Sequence, residues 1–297
     1  MTTVSTATGP LRPRVRFTGL ARLSPRAGVV AAALLILIFV MSFALPVITG
    51  YGPDQFIGLP YQPPSLAHPF GTDGFGRDVM IRTFTASRVD YLIPLLIVAI
   101  SVAIGSIVGV AVTLIGGFAE WLMMRITDAI IAFPFLILIL ALVVVFGQGV
   151  DVAFLPNGTI PIIVAVVLTG WAYYARLARS QALSLRGMDY ITAARIMGYS
   201  TTRIVFRHIT PKVLGASVSY AIGDMIVVMG LIASLSLFGA GIAPPTAEWG
   251  QMMFEGRSVL GQYWWVTLFP LVFMIISAVS LAAIAERLVA RLEGRAR

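Results

Sequence analysis

The stretch that decides the fold is DYITAARIMGYSTTRIVFRHITPK at residues 189–212, a basic and polar segment between long apolar runs. A helix of about 20 apolar residues is long enough to span a bilayer. Apolar runs of that kind precede the stretch, and another begins directly after it. The stretch is therefore predicted to be a loop outside the bilayer, in a protein whose chain crosses the membrane several times.

The loop carries signals for two short helices. Asp189 is predicted to cap a helix over residues 190–197, and Gly198 follows where helix ends favour glycine. Ser200 is predicted to cap a second helix over residues 201–209. Two capped helices in succession favour a docking surface. The alternative is a solvated basic loop, which the spacing by itself leaves open.

Composition excludes a water-soluble domain and several kinds of chemistry. Of the 297 residues, 58% are apolar and 11% are charged, whereas soluble domains carry roughly 25% charged residues. The chain has no cysteine, which excludes disulfides, thiolate metal sites and a cysteine nucleophile. His68 and His208 fall on opposite sides of the membrane in the topology below. A histidine metal site is therefore not expected, and we expect no cofactor in this chain.

The apolar runs predict an all-α membrane protein with six transmembrane helices. The spans lie at about 28–48, 91–115, 129–146, 160–174, 213–238 and 264–284. The predicted divisions are a disordered cytoplasmic tail at 1–27, the first transmembrane helix with an external loop at 28–90, a core of five transmembrane helices at 91–288 and a second cytoplasmic tail at 289–297.

The basic residues set the predicted orientation. Of the 21 Lys and Arg residues, 17 fall on the side that holds both termini and the 189–212 loop. The positive-inside rule places that side in the cytoplasm. The net charge of +8 is thereby explained by topology, and no nucleic-acid partner is inferred. Four tryptophans near span ends predict an interfacial aromatic belt: Trp121, Trp249, Trp264 and Trp265.

Two predicted spans carry a small residue at every fourth position. In the second span these are Ser101, Gly105, Gly109 and Thr113, and in the fifth they are Gly215, Ser219 and Gly223. Small residues let helix backbones approach closely. Packing within one subunit is the favoured interpretation. The alternative is contact with a second subunit or a lining of a translocation pathway.

The chain lacks a nucleotide site of its own and holds one acid in mid-membrane. A P-loop needs Gly-Lys followed by Ser or Thr, and the only lysine, Lys212, lies between Pro211 and Val213. The energy for transport must therefore come from another subunit or from an ion gradient. Asp224 falls near the middle of the fifth span, where an ionised side chain costs at least about 2.5 kcal/mol. It is interpreted either as a structural pair with a neighbouring helix or as a pathway residue that contacts a cationic group or a gate.

Three motifs resemble those of one family. The run Thr192-Ala193-Ala194-x3-Gly198-x10-Ile209-x-Pro211 resembles the EAA loop of binding-protein-dependent ABC importer permeases, with Thr192 where the family usually has Glu. The run His68-Pro69-Phe70-Gly71-Thr72-Asp73-x2-Gly76-Arg77-Asp78 is similar to the segment before the second span in C-type permease subunits of dipeptide, oligopeptide and nickel importers. The run Pro244-Pro245-x3-Trp249-Gly250 resembles their external loop before the last span.

The resemblance implies the type I ABC importer permease fold with a cytoplasmic coupling helix, and a transport subunit rather than an enzyme. It implies that an ATPase docks on Thr192, Ala193, Ala194, Arg195, Gly198, Ile209 and Pro211. Two cytoplasmic ATPase subunits would bind ATP and Mg. The other implied partners are a homologous second permease subunit, an external solute-binding protein and membrane lipid. The implied location is the cell membrane of a prokaryote.

The external motif is predicted to be structural. Asp73, Arg77 and Asp78 are expected to form an ion-pair cluster that folds the loop, with His68 as a hydrogen-bonding residue and Gly71 and Gly76 as turn residues. The predicted function is a permease subunit of an ATP-driven importer for dipeptides, oligopeptides or related solutes such as nickel chelates. The alternative is an ion-coupled secondary transporter that acts alone. An intramembrane enzyme is disfavoured, because the spans hold no catalytic set at helical spacing.

Overall fold

The computed structural model describes residues 25–147 and 155–294, and the regular structure of these residues is helical apart from one isolated bridge between Thr72 and Asp78. The helices are α1 Pro25–Thr49, α2 Val79–Ile115, α3 Gly117–Ala132, α4 Phe135–Phe146, α5 Thr159–Arg186, α6 Asp189–Ile196, α7 Thr201–Ile204, α8 Thr210–Leu237, α9 Trp249–Gly256 and α10 Trp265–Gly294. A π-helical turn, Val205–Ile209, joins α7 to α8, and a 3-10 turn, Arg257–Val259, follows α9. The all-α prediction is confirmed for these residues. Most of the predicted N-terminal tail, 1–24, and residues 295–297 lie outside them.

Five helical stretches are each long and apolar enough to cross a membrane, namely Ala27–Thr49, Val79–Ile115, Thr159–Arg186, Val205–Leu237 and Trp265–Ala290. A sixth crossing exists if α3 and α4 together form one span across the 93° bend between them. The bend lies at Pro134, and the preceding Phe133 is extended, with φ −77° and ψ 143°. Proline disfavours the helical conformation in the residue before it. The single continuous helix predicted at 129–146 is therefore wrong.

Three helices extend beyond their predicted bounds. α2 begins at Val79 rather than at 91, because the Asp78 carboxylate caps it by accepting from the amides of Met80 and Ile81. α5 continues to Arg186, past the predicted end at 174, and α10 continues to Gly294. A span predicted from hydropathy ends where the first polar residues appear, whereas these three helices continue through the polar residues. The external loop predicted to reach residue 90 consequently ends at Asp78.

α2 and α5 form the centre of the helix bundle. A Cβ added to Gly105 of α2 would lie 2.5 Å from the carbonyl oxygen of Trp171, and one added to Gly109 would collide with the carbonyl of α5 that faces it. Packing within one subunit is therefore confirmed for the small-residue stripe of α2. The stripe of α8 differs, because a Cβ added to Gly215 or Gly223 would meet no atom of the described residues within 4 Å. We call this face of α8 the open stripe.

Two of the four tryptophans predicted at the membrane interface are core residues instead. Trp249 and Trp265 are buried, and their indole N–H groups donate to backbone carbonyls at 2.8 and 3.1 Å. They fasten α9 and the start of α10 to neighbouring segments. The aromatic-belt prediction is wrong for these two residues, whereas Trp121 and Trp264 are about half exposed.

Candidate functional site

The loop formed by α6, α7 and the π-helical turn is fixed to the bundle by apolar side chains that point inwards. They form one core cluster with residues of α2, α5 and α8: Val110, Ala178, Ala182, Leu185, Ile191, Ala194, Ile204, Val205, Ile209 and Val213. Burial of apolar area at about 25 cal/mol per Å² holds such a cluster together. The loop is therefore a folded extension of the bundle, and the alternative of a solvated connector is wrong.

The outward side of this loop is apolar with a basic edge. Ile196 is 83% exposed, Met197 is 65% exposed and Phe206 is 72% exposed. Arg203 and Arg207 line, with Ser200 and Phe206, a shallow depression of about 530 Å³. We call the five residues Ile196, Met197, Arg203, Phe206 and Arg207 the loop surface. Large apolar side chains exposed side by side are typical of a surface that another protein covers.

The residues predicted to dock an ATPase divide between the two sides of the loop. Thr192, Ala193, Gly198 and Pro211 are exposed. Ala194 and Ile209 are 2% and 1% exposed and belong to the inner cluster, so their expected place on a docking surface is wrong. These two residues hold the loop against the bundle. The side chain of Arg195 lies outside the described part of the chain.

The turn between α6 and α7 depends on Gly198. Its φ of +81° lies in the left-handed region, which glycine enters without steric cost. Ser200 caps α7, because its Oγ accepts from the Arg203 amide at 3.3 Å. Both of these predictions are confirmed. Asp189 differs from its prediction, since it lies inside the first turn of α6, where a carboxylate favours the helix dipole.

The second predicted loop helix, 201–209, is not a uniform α-helix. After α7 the backbone widens into a π-helical turn, in which the Thr210 amide donates to the Val205 carbonyl. Pro211 follows and supplies no N–H for an ordinary helical bond, so a wider turn is favoured before it. The turn runs into α8 without a break. Arg203, Phe206 and Arg207 of the loop surface are consequently parts of one continuous rod with α8, whereas Ile196 and Met197 lie before the turn at Gly198.

Asp224 lies midway along α8 and is hydrogen-bonded to a neighbouring helix. The hydroxyl of Tyr174 in α5 donates to Asp224 Oδ2 at 2.7 Å. The ring of Tyr220, one turn earlier in α8, packs edge-on against Tyr174 and is about half exposed. The structural-pair interpretation is thus confirmed. Asp224 also follows Gly223 of the open stripe, and its role in a pathway stays a prediction.

A polar lobe, formed by residues 50–78 and α9, lies at the start of α2 and is folded by the predicted ion-pair cluster. Arg77 Nε donates to Asp73 Oδ2 at 2.6 Å, and Arg77 Nη2 donates to Glu255 of α9 at 3.1 Å. His68 Nδ1 lies 3.0 Å from Asp78 Oδ2. Buried ions are tolerated when they are paired in this way. Asp73 and Arg77 form the expected ion pair, whereas Asp78 lies against His68 and caps α2; a purely structural role of the motif stays a prediction.

The turns of the lobe and its attachment to α2 use further residues of the same motif region. Gly71 and Gly76 have φ of +73° and +75°, as expected of turn glycines. Arg82, in the first turns of α2, is buried and lies 2.7 Å from Asp54 Oδ1. The lobe is therefore attached to the beginning of α2 by the Arg82–Asp54 ion pair as well as by the Asp78 cap.

Sequence reasoning missed a buried pair of carboxyl groups where the lobe meets α2. Glu248 caps α9 and accepts from the Gly250 and Gln251 amides at 2.7 and 2.6 Å. Asp90 of α2 accepts from the Trp249 amide at 3.1 Å and also faces Glu248. Burial raises the pKa of Glu248, and a second carboxyl group that faces it favours a proton shared by the pair. Glutamate is not a preferred N-cap residue, so the sequence did not indicate the cap, and nothing in it pairs Glu248 with Asp90.

The described residues offer surfaces for binding other molecules and no recognisable metal centre. Within 25–147 and 155–294, no group of three or more His, Asp or Glu side chains could hold a metal ion. The distinctive features are the loop surface, the open stripe and the polar lobe. The loop surface and the lobe lie near opposite ends of α2, because the inner cluster includes Val110 near its end whereas Asp78 caps its beginning.

Known proteins are similar to this chain over most of its length. The family described as binding-protein-dependent transport system inner membrane component matches residues 90–297. The oligopeptide transport system permease protein OppC of Bacillus subtilis is 32% identical over 256 residues, which cover 86% of this chain and 81% of that protein. The probable D,D-dipeptide transport system permease protein DdpC of Escherichia coli is 32% identical over 252 residues, which cover 84% and 82%.

A solved structure shares the helical arrangement. It is the crystal structure of an amino acid ABC transporter with histidines, with a TM-score of 0.54, 16% identity and coverage of 71% of this chain and 94% of that chain. A likeness at that identity concerns the fold, and it confirms the predicted type I permease fold. The family match covers the open stripe, the loop surface and α9 alike. This chain therefore belongs to the binding-protein-dependent transport system inner membrane component family, whose members are the permease subunits of ABC importers.

Proposed function

We propose that this permease imports small peptides and is driven by two cytoplasmic ATPase subunits that dock on the loop surface. Relatives named for oligopeptide and D,D-dipeptide transport support the peptide assignment. A second, homologous permease subunit would lie against the open stripe, and a solute-binding protein would deliver the peptide to the polar lobe. The ATPase subunits would bind ATP and Mg, and this chain would hydrolyse nothing itself.

The exposed apolar side chains of the loop surface carry the docking proposal. Ile196, Met197 and Phe206 project from a loop whose inner side is already packed. Burying one such side chain in a partner's groove is worth about 1.5–3 kcal/mol. Arg203 and Arg207 border Phe206 and favour a groove with carboxylates on its edge. Thr192 takes the place of the family's usual Glu, so any carboxylate contact would have to be made from the ATPase side.

Replacing Phe206 by Glu tests the docking proposal. Phe118 at the start of α3 is a matched control, because both phenylalanines are 72% exposed. Phe206→Glu should lower ATPase co-purification and peptide uptake at least about tenfold, which corresponds to about 1.4 kcal/mol. Phe118→Glu should leave both near the wild-type level. Equal effects of the two substitutions, or none from Phe206→Glu, would remove the loop surface as the docking site.

We infer that Asp224 lines the translocation pathway and receives the ammonium group of a passing peptide. The ring of Tyr220, one turn before Asp224 on the same side of α8, supports this role, because it is about half exposed and packs against Tyr174, the partner of the carboxyl group. Tyr174 fixes one carboxylate oxygen and so orients the group. Ionisable residues inside membranes commonly mark substrate pathways. A solute passing between two permease subunits would meet this face of α8.

Uptake kinetics test the role of Asp224. Asp224→Asn keeps the size of the side chain and its bond to Tyr174, so it should lower the maximal rate of uptake while ATPase co-purification stays unchanged. Asp224→Glu should restore part of the rate, because it restores the charge. Ser219→Ala, on the same helix, is the control and should leave the rate unchanged. Wild-type uptake in Asp224→Asn would show that the group is only structural.

We propose that both termini and the loop surface are cytoplasmic, in the cell membrane of a prokaryote, and that the polar lobe is external. The excess of basic residues on one side supports this orientation. The chain has no cysteine, so single reporters can be introduced at the exposed Ser65 and Ser200. An impermeant maleimide should label Ser65→Cys in intact cells and Ser200→Cys only after permeabilisation. The opposite pattern would invert the proposed topology.

A further inference from the structure

We propose that a groove between α1 and α8 binds an anionic phospholipid, with an acyl chain along the groove and the phosphate at Arg287. α1 and α8 both pack against α10, and the groove of about 480 Å³ lies between them. The site is separate from the loop surface and from Asp224. The inference does not depend on which solute the permease moves.

The walls of the groove fit a hydrocarbon chain. Ala33 and Ile36 of α1, Ile222 of α8 and Leu288 of α10 are among its lining residues. All three helices belong to stretches long and apolar enough to span a membrane. From Gly28 to Ile36, α1 rises about 12 Å at 1.5 Å per residue. The small side chains of α1 leave an open channel at a depth where lipid tails are the surrounding solvent.

One end of the groove is marked by a cation in a defined position. Arg287 is part of the lining, and its aliphatic stem packs so closely on Gly28 that a Cβ there would collide with it. This contact fixes the stem against α1 near the end of the span. A guanidinium offers five N–H donors in a planar fork, so it can bind a phosphate in addition to a protein partner. Arginine favours bidentate binding of phosphate.

The charge around this end of the bundle favours an anionic headgroup over a zwitterionic one. α1 begins at Pro25 and α10 ends at Gly294, so the beginning of α1 and the end of α10 lie at this end of the groove. The first 26 residues contain five arginines and no acid, and residues 287–297 contain four arginines and one glutamate. Basic pockets between transmembrane helices bind anionic headgroups. A topology signal alone explains the basic tails, but it does not explain an apolar groove that ends at an arginine.

Native mass spectrometry tests the proposal on the full chain purified with its subunits in a neutral detergent. The probe is an equimolar mixture of phosphatidylglycerol and phosphatidylcholine. One phosphatidylglycerol should be retained with at least about a fivefold preference. Arg287→Gln should abolish the preference, and Ala33→Trp, which fills the groove, should abolish retention. Arg257→Gln makes the same charge change beyond the other end of α10, and Val40→Trp adds the same bulk about one turn beyond the groove on α1; both should retain the lipid.

Four results would overturn the proposal. Equal retention of both lipids would mean that only adventitious lipid is bound. Equal losses from Arg287→Gln and Arg257→Gln would assign the preference to diffuse charge. Undiminished retention in Ala33→Trp would place the lipid elsewhere. Arg287→Lys separates charge from geometry, because it keeps the cation and removes the fork, and a partial preference is expected. No preference in Arg287→Lys together with a normal preference in Arg287→Gln would also contradict the site.

Discussion

Replacing Asp90 by Asn should separate the two roles of the carboxyl group that lies between α2 and α9. Asp90 Oδ2 accepts from the Trp249 amide at 3.1 Å, and the carboxyl group also faces Glu248. An asparagine keeps an acceptor for the amide and turns an N–H donor towards Glu248 without needing a proton. An alanine keeps neither. Asp90→Asn is therefore expected to preserve the lobe, and Asp90→Ala to loosen it.

The expected magnitude follows from the buried amide. In Asp90→Ala the Trp249 N–H loses its acceptor while it stays buried, which costs about 1–3 kcal/mol. For a domain of roughly this size, 1 kcal/mol lowers the melting temperature by about 2–4 °C. Asp90→Ala should accordingly melt several degrees below the wild type. Asp90→Asn should melt within about 2 °C of the wild type near neutral pH, because its hydrogen bonds are retained.

The dependence of stability on pH gives the sharper measurement. Burial raises the pKa of Glu248 above its ordinary value of 4.5, so the folded protein binds the proton more tightly than the unfolded chain does. This contribution to stability is fully present below the unfolded pKa and is lost as pH rises through the folded pKa. In Asp90→Asn, Glu248 has a permanent donor and no like charge beside it. The pair then has one carboxyl group fewer to bind a proton, so less of the free energy of unfolding should depend on pH, and each unit of pKa shift that is removed returns about 1.4 kcal/mol at high pH.

Thermal melts in detergent between about pH 5 and pH 8 test this reasoning. The wild type should lose stability as pH rises, and Asp90→Asn should lose less. Asp128→Asn is the control, because Asp128 is about half exposed and pairs with Arg176 outside the carboxyl pair; its melting curve should follow the wild type. If Asp90→Asn melts as low as Asp90→Ala at every pH, the shared-proton account is wrong. A wild-type melting temperature that is constant over this range would refute it equally.

Three further substitutions follow from the packing. Gly109→Leu should lower the free energy of unfolding by about 1–3 kcal/mol or more, because the larger side chain overpacks against α5, and this is measured as a lower melting temperature. Gly223→Leu on the open stripe should leave the melting temperature unchanged and should weaken assembly with the second subunit. Gly198→Arg should abolish uptake and leave membrane insertion intact. Gly198→Asn should retain uptake, because asparagine tolerates the left-handed conformation. Loss of uptake in both variants would assign the effect to backbone strain. Arg77→Met should leave Asp73 with only the more distant Arg82, 3.6 Å away, at up to about 3–5 kcal/mol. It should expose residues 50–78 to limited proteolysis, with unchanged proteolysis as the contrary result.

The helices could be predicted from the sequence more completely than their ends. A run of apolar residues fixes a transmembrane helix because its backbone must be satisfied within the lipid. Where polar residues follow, the same run says nothing about whether the helix continues. Val79 and Arg186 lie in such polar stretches, and their helical state depends on the lobe and on the inner cluster. The break at Pro134 had a local signal, but its angle depends on the packing of α4 against α5.

Local chemistry also decided which site residues could be predicted. Gly198 and Ser200 have roles that their immediate neighbours determine, and both predictions hold. Which side of α6 faces the bundle depends on the path of α5, so the sequence pattern assigned Ala194 to the surface and overlooked Ile196. The partnership of Asp90 with α9 depends in the same way on a contact between distant segments. Pairings of this kind are set by tertiary structure, which a single sequence does not display.

The position of α2 suggests how docking at one end could reach the other. α2 has 37 residues and is about 55 Å long at 1.5 Å per residue. Its beginning is bonded to the polar lobe through Arg82, and near its end the Thr113 carbonyl accepts from Arg186 at 2.6 Å. The close backbone contact at Gly105 makes α2 and α5 a single unit. A displacement of α2 at the inner cluster would therefore be carried to the polar lobe, and α8 would follow through the Tyr174–Asp224 bond to α5 at 2.7 Å and the Ser106–Ser217 bond to α2 at 3.1 Å.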